Sequence, residues 1–208
     1  MNLRCESDSL EDYLGELDVV DYSHPLITKK ANELFFASLN EIETVKIAFE
    51  FVRDSISHSF DIESAHITCN ASEVLYFEEG ICYAKSNLLA ALLRSKGIPT
   101  GFCYQRLTKG DTPDTGYCIH ALNAVYLSSL KRWIRLDARG NKEGVNAQFS
   151  IDEEKLAFPV REKYDEKDYP VIYTKPNDGT ITALKQNSDS RALFNNLPTQ
   201  LAAGCPSA

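Results

Sequence analysis

The stretch GICYAKSNLLAALLRSKGIP, residues 80–99, constrains the fold of this chain more than any other. Its apolar residues recur at helical spacing and predict an amphipathic helix from about Gly80 to Ser95. They are Ile81, Ala84, Leu88, Leu89, Leu92 and Leu93. Gly97 suits the left-handed position that follows a helix, and Pro99 cannot continue one. The chain must therefore turn sharply after this helix.

Segments typical of strands follow the helix. TGFCYQRL, residues 100–107, is rich in aromatic residues and predicts a strand. After a loop, IHALNAVYL (119–127) and RWIRLDAR (132–139) predict an antiparallel hairpin. A turn centred between Ser128 and Ser129 places His120 directly opposite Asp137 on one face. A slip of one residue would put the two side chains on opposite faces, so the pairing depends on the register.

Helices precede this strand-rich region. Apolar residues from His24 to Ile62 recur at three- and four-residue steps and predict two amphipathic helices, broken near Ser38 to Asn40. A further helix is predicted from about Asp178 to Asn196, before a tail rich in Pro and Ala. The acidic first stretch, through Asp21, is expected to be a solvated strand or arm. Helices followed by an antiparallel sheet predict the α+β class.

The length of 208 residues favours a single domain, 1–208. Within it we expect a helical lead-in at about 24–62, a core at about 70–150 and a C-terminal extension at 151–208. Thirty acidic residues against twenty-two basic ones give a net charge of -8, which disfavours nucleic acid and anionic membrane surfaces as partners. No apolar run approaches the roughly 20 residues that span a bilayer, and the N-terminus lacks the apolar region of a secretory signal. The expected location is therefore the cytoplasm.

Six cysteines are too few and too widely spaced for a disulfide scaffold in a chain of this length. Cys82, Cys103, Cys118 and His120 could together bind zinc, but no C-x-x-C pair exists, and we expect no metal and no cofactor. The last four residues, Cys205 to Ala208, loosely match a prenylation signal. Because residue 206 is Pro and no polybasic stretch precedes it, we interpret that match as chance.

Cys82 is the first candidate for chemistry, because it lies in the first turn of the predicted helix. The unpaired N–H groups and the positive end of the helix dipole stabilise a thiolate there, and they can also bind an oxyanion. Gly80 leaves room for a substrate. The alternative is a small buried residue at a helix start.

His120 and Asp137 supply the base and the orienting carboxylate that such a nucleophile needs. The other histidines have weaker claims: His24 is a helix-start residue, and neither His58 nor His66 has an evident acidic or thiol partner at a metal-ligand interval.

Three segments together resemble the transglutaminase-like superfamily. EGICYAKSNLLAALLRSKGIPTGF, residues 79–102, is similar to its nucleophile segment, in which Gly-x-Cys opens a helix that runs into Leu-Arg-x-x-Gly-Ile-Pro. Residues 119–127 and 132–139 resemble the His-Ala strand and the Trp-x-x-Leu-Asp strand of the family. The region from His24 to Ile62 resembles the helices that precede the core in small bacterial members.

The resemblance implies a papain-like fold with Cys82 as nucleophile, His120 as general base and acid, and Asp137 orienting the imidazole. It implies attack on an amide or ester carbonyl and a thioester intermediate. Leu122 and Ala124 depart from the family, which often has an aromatic and an acidic residue there. The chain lacks room for the extra β-domains of animal transglutaminases and shows no acidic cluster for calcium.

Hydrolysis of peptide or isopeptide amides is therefore the leading hypothesis, with a peptide or protein amide as substrate. Transfer of the acyl group to an amine, as in arylamine acetyltransferases, is an alternative that differs only in what resolves the thioester. A binding protein of the same fold that has lost activity is a third. Cys118 shares the strand face of His120 and is a candidate disulfide partner for Cys82. The sequence does not specify the oligomeric state.

Overall fold

The helix that carries Cys82 is the most deeply buried element of the protein. In the computed structural model, which describes residues 2–36 and 39–201, helix α4 spans Cys82–Arg94, and every residue from Tyr83 to Arg94 is buried. The helix ends as predicted, with Gly97 at φ +72° and the Ile98 N–H donating back to the Leu93 carbonyl. It starts two residues later than predicted, because Ile81 is the residue that precedes the first turn.

Three helices surround α4. They are α1 (Pro25–Leu34), α2 (Glu41–Ser55) and α3 (Ala71–Phe77), and all pack against it. The two helices predicted between residues 24 and 62 are thus confirmed, although Ser38, within the predicted break, lies outside the described residues. His24 begins α1 as expected, since its Nδ1 accepts from the Leu26 N–H. Reciprocal bonds between Asn40 and Glu43 fix the start of α2.

A four-stranded antiparallel sheet lies beside α4 in the order β4-β3-β2-β5. Its strands are β2 (Thr100–Thr108), β3 (Tyr117–Leu127), β4 (Arg132–Leu136) and β5 (Lys167–Asp168). A separate parallel pair joins β1 (Arg4–Cys5) to β6 (Val171–Ile172). Asn123 fastens the sheet to α4, because its amide donates to the carbonyls of Ser86 and Gly101, each at 3.2 Å.

The residues of β3 alternate between two cores, as a strand with a side-chain period of two requires. Ile119, Ala121, Val125 and Leu127 belong to the main core with α4, whereas Leu122 and Ala124 belong to a smaller core with Tyr13, Cys103 and Ile172. The sheet is therefore covered on both faces.

The hairpin forms as predicted, but its register is shifted by two residues. Asn123 pairs with Leu136 and Leu127 with Arg132, so the connection is a four-residue loop and His120 is not directly opposite Asp137. Two features stabilise the longer loop: Lys131 adopts φ +51°, and Glu41 of α2 accepts from the backbone N–H groups of Ser128 and Ser129. A shift of two keeps side chains on the same face, so the predicted contact survives as a diagonal one.

The N-terminal stretch is not the solvated arm that its charge predicted. Tyr13, at the end of a 3-10 helix over Leu10–Tyr13, is fully buried, as is Val20. The Tyr13 hydroxyl donates to the Ile172 carbonyl at 3.2 Å, which ties this stretch to β6. The sequence pattern did not reveal the few apolar residues that anchor this stretch, because acidic residues dominate its composition.

The single C-terminal helix predicted from 178 to 196 is wrong, because the chain forms α5 (Asp178–Gln186) and α6 (Ser190–Asn195). The helix breaks because Asp189 caps α6, its Oδ1 accepting from the Ala192 N–H at 2.9 Å. β5 pairs with β2, so the extension contributes to the main sheet. The interpretation of 1–208 as one domain stays a prediction, and residues 205–208 lie outside the described part of the chain.

Candidate active site

Cys82 is the first residue of α4 and is partly exposed. The first N–H groups of an α-helix have no intrahelical acceptor, and Ile81 makes no side-chain capping bond to them. The sulfur therefore lies at the positive end of a 13-residue helix. This is the placement that the sequence predicted.

Gly80 has a different role from the one expected. A Cβ at this position would lie 2.9 Å from the Thr68 hydroxyl and 3.1 Å from the Cβ of Ala84. The space beside Gly80 is thus filled by the protein itself. Gly80 permits close packing before α4, and it does not leave room for a substrate.

His120 and Asp137 are brought together and buried. His120 Nε2 lies 2.7 Å from Asp137 Oδ2, with the side chains 5% and 0% exposed. The carboxylate also accepts two backbone N–H bonds, from Arg139 at 3.2 Å to Oδ1 and from Ala157 at 3.0 Å to Oδ2. These donors fix the carboxylate, and the carboxylate fixes the imidazole.

Charge controls the protonation of this pair. Burial opposes the charged imidazole, but the Asp137 carboxylate and the Cys82 thiolate outweigh burial and raise the pKa of His120 to about 10. For Asp137, burial favours the neutral acid, yet His120 and the backbone donors lower its pKa below the usual range. The favoured state of this pair is an imidazolium beside a carboxylate.

Cys82 and His120 line one cavity of about 670 Å³. Its apolar wall includes Leu107, Phe158, Phe194 and Leu197. Phe158 packs edge-on against the His120 ring, with the centroids 5.2 Å apart. Ion pairs also line the cavity: Asp61 contacts Lys142 at 2.7 Å and also Arg139, while Arg161 contacts Glu166 at 2.7 Å.

Cys118 lines the same cavity, but its surroundings differ from those of Cys82. Burial, followed by the charge of Cys82, raises the pKa of Cys118 to about 12. Burial likewise raises the pKa of Cys103 to about 12 and that of Cys69 to about 11. These three thiols are therefore held in the neutral, weakly nucleophilic form.

His66 lies outside the cavity, and its Nδ1 is 3.3 Å from Oε1 of Glu79. One feature of the site was missed by sequence reasoning. The extension supplies the Ala157 N–H that binds Asp137, together with the Phe158 and Phe194 walls of the cavity. No motif marks these residues, because only the long-range fold brings the extension back to the site.

Within the described residues, no group of three or more His, Cys, Asp or Glu side chains is arranged to hold a metal ion. No helix within residues 2–36 and 39–201 is long and apolar enough to cross a membrane. The cytoplasmic location stays a prediction.

The model of the transglutaminase-like superfamily matches residues 28–138, just over half of the chain. The chain belongs to the transglutaminase-like superfamily. The match begins in α1 and ends just after Asp137, so the extension lies beyond it. No curated protein matches this chain.

A solved structure supports this assignment of the fold. A crystal structure of a candidate cysteine protease from Cytophaga hutchinsonii is similar with a TM-score of 0.51 and 18% identity, over 64% of this chain and 43% of that one. A crystal structure of a TGase gives a TM-score of 0.44 and 17% identity, over 85% of this chain and 48% of that one. The chain spans less than half the length of each. The fold is α+β of the papain-like, transglutaminase-like kind.

Proposed function

We propose that this protein is a cysteine-dependent hydrolase of amide bonds in peptides or isopeptides. Cys82 is the nucleophile, His120 the general base and acid, and Asp137 the group that orients His120. The observation that carries the proposal is the buried 2.7 Å contact between His120 and Asp137 in the wall of the cavity that Cys82 also lines.

Acylation follows from the charges around His120. Since Asp137 engages Nε2, Nδ1 is the nitrogen left to exchange a proton with Cys82. The thiolate attacks the carbonyl carbon, the C–S bond forms, and the carbonyl π electrons move to oxygen. As the C–N bond breaks, the imidazolium donates its proton to the departing nitrogen, which leaves an amine and a Cys82 thioester.

Deacylation reverses these roles. His120 removes a proton from a water molecule as its oxygen attacks the thioester carbonyl. The C–S bond then breaks, which releases the carboxylic acid and restores the thiolate beside the imidazolium. Asp137 stabilises the imidazolium in both half-reactions and holds the ring orientation.

The cavity supports an acyl group with an apolar side chain. Leu107, Phe158 and Phe194 give the cavity apolar and aromatic surface, whereas its ion pairs supply both positive and negative groups. This combination suits a peptide that presents both an apolar side chain and its polar backbone groups to the cavity.

The test is a library of short peptidyl aminomethylcoumarin amides, together with mass spectrometry of the protein after brief reaction with p-nitrophenyl acetate. We expect coumarin release and an acetyl group on the Cys82 peptide for the wild type. Cys82→Ala should lose both. Cys118→Ala is the matched control, because Cys118 lines the same cavity, and it should keep both.

Failure of the wild type to form an acyl adduct, or release that persists in Cys82→Ala, would overturn the proposal. Repeating the reaction with added methylamine separates the two fates of the thioester. A carboxylic acid product that persists at high amine concentration supports hydrolysis. An N-methylamide as the main product would assign the enzyme to acyl transfer instead.

A further inference from the structure

His58 is held beside the start of the nucleophile helix. The segment Ser57 to Ser59 pairs with Glu78 to Gly80, the residues immediately before the first turn of α4. The Ser57 N–H donates to the Glu78 carbonyl at 2.9 Å, and the Gly80 N–H donates to the Ser57 carbonyl at 3.0 Å. Two backbone bonds thus fix the position of His58 relative to the N-terminus of the helix.

The imidazole of His58 is buried and lines the cavity that Cys82 and His120 also line. It is 8% exposed, and its ring packs edge-on against Phe60 with the centroids 5.5 Å apart. Within the described part of the chain, its Nδ1 atom is buried without a hydrogen-bond partner. An Nδ1 atom without a partner favours the tautomer that carries the proton on Nε2, and this Nε2–H is the donor that the ring offers to a ligand in the cavity.

The surroundings of His58 keep the ring uncharged. Burial, and then the positive charge of Arg139, hold the pKa of His58 well below its usual value, and Lys85 and His120 act in the same direction. Asp61 is the opposing charge, but it is engaged by Arg139 and Lys142. A neutral imidazole has one N–H donor and no proton to transfer at neutral pH.

We propose that the N–H of His58 donates a hydrogen bond to the oxyanion that forms when Cys82 attacks a substrate carbonyl. This inference rests on the proposed function and adds a fourth catalytic residue to it. The unpaired N–H groups at the start of α4 supply the other donors to the same oxygen.

A neutral donor suits this role. The oxyanion is present only in the tetrahedral intermediate and its flanking transition states, so a preorganised N–H stabilises them more than the substrate. A charged imidazolium beside the His120 imidazolium would repel it. A neutral ring avoids that repulsion and keeps the donor.

The test compares two electrophiles on one thiol. p-Nitrophenyl acetate forms a tetrahedral oxyanion on Cys82, whereas iodoacetamide alkylates the sulfur by direct displacement and forms none. We expect His58→Leu to slow acetylation of Cys82 about 100-fold, the usual cost of losing one oxyanion donor. Alkylation of Cys82 by iodoacetamide should stay at the wild-type rate. The far-ultraviolet circular dichroism spectrum should match that of the wild type.

Two further variants test whether His58 acts as a hydrogen-bond donor or only fills space in the wall of the cavity. His58→Gln keeps an N–H on a side chain of similar reach and should recover a large part of the acetylation rate. His66→Leu removes an exposed histidine that does not line the cavity, and it should leave both reactions unchanged.

Three results would overturn the proposal. They are acetylation of His58→Leu at the wild-type rate, a loss in His58→Leu that is equal for both electrophiles, and a His58→Gln variant no better than His58→Leu. The first and third outcomes leave Cys82 acylated in the wild type and the hydrolase proposal intact. A wild type that is not acetylated at all would overturn both.

Discussion

The hydroxyl of Tyr83 donates a 2.7 Å hydrogen bond to the carbonyl oxygen of Ile119. Tyr83 follows Cys82 in α4, and Ile119 precedes His120 in β3, so this buried bond connects the neighbours of the proposed nucleophile and base. A helix and a strand from separate parts of the chain are thereby held in a fixed relation at the site. The relative position of sulfur and imidazole depends on contacts of this kind.

Tyr83→Phe removes the hydroxyl and keeps the ring. We expect the free energy of unfolding to fall by about 1 kcal/mol, the net contribution of a typical hydrogen bond. Acetylation of Cys82 by p-nitrophenyl acetate should slow severalfold, because the helix gains freedom relative to β3. Thermal melts and p-nitrophenolate release measure the two effects. Tyr126→Phe is the control, because Tyr126 lies on β3, the strand that also carries Ile119. An equal loss of rate in both variants would contradict a positioning role for Tyr83.

Asp137→Asn should lower turnover and stability together. The carboxylate accepts from His120, Arg139 and Ala157, but a carboxamide presents one acceptor and one donor group. We expect unfolding to become easier by about 1–3 kcal/mol, because a buried donor is left unpaired. Turnover should fall about 10-fold, less than the roughly 10²–10⁴-fold loss expected for His120→Ala, since the amide still limits rotation of the ring.

Kinetics at a temperature where the variant is fully folded separate these two effects. Asp168→Asn is a matched control, since Asp168 pairs with Arg135 away from the cavity. Full turnover in Asp137→Asn would make Asp137 a structural residue only.

The sequence predicted the helix, the hairpin and the contact between His120 and Asp137, because these depend on local periodicity and turn residues. It did not predict the register of the hairpin, because Glu41 binds the loop from a helix distant in sequence. It missed Ala157 and Phe158 for the same reason, since nothing local marks a segment that returns to the site. The prediction of a single helix at 178–196 was wrong because Asp189 caps the N-terminus of a second helix within a sequence of helical periodicity.

The stability conferred by His120 should decrease with rising pH. Its pKa is about 10 in the folded protein and about 6.5 in an unfolded chain, so the folded state binds the extra proton between these values. The contribution is complete below about pH 6.5 and is lost as the pH rises through about 10, at up to about 1.4 kcal/mol per pH unit. Urea unfolding of the wild type and His120→Gln across this window measures the difference, and His66→Gln is the control. A wild-type advantage that grows with pH would contradict the assigned charge state.

Lys85 should have the opposite effect on how stability depends on pH. Its ammonium group is buried at the C-terminal end of α2, where it donates to the carbonyl of Ile56 and, at 3.5 Å, to that of Arg53. The last carbonyls of a helix lack intrahelical partners, which explains why a cation is held there. Burial, and then the charge of Arg139, lower the pKa of Lys85 to about 7.

Between about pH 7 and pH 10.4, an unfolded chain therefore binds more protons at Lys85 than the folded protein does. The stability of the wild type relative to Lys85→Met should rise with pH across that window, by up to about 1.4 kcal/mol per unit. Urea unfolding at closely spaced pH values measures this difference. Lys46→Met, which replaces an exposed lysine on α2, should show no such slope. A flat or falling difference for Lys85→Met would mean that the buried ammonium keeps its proton throughout, and that the carbonyls of α2 compensate fully for its burial.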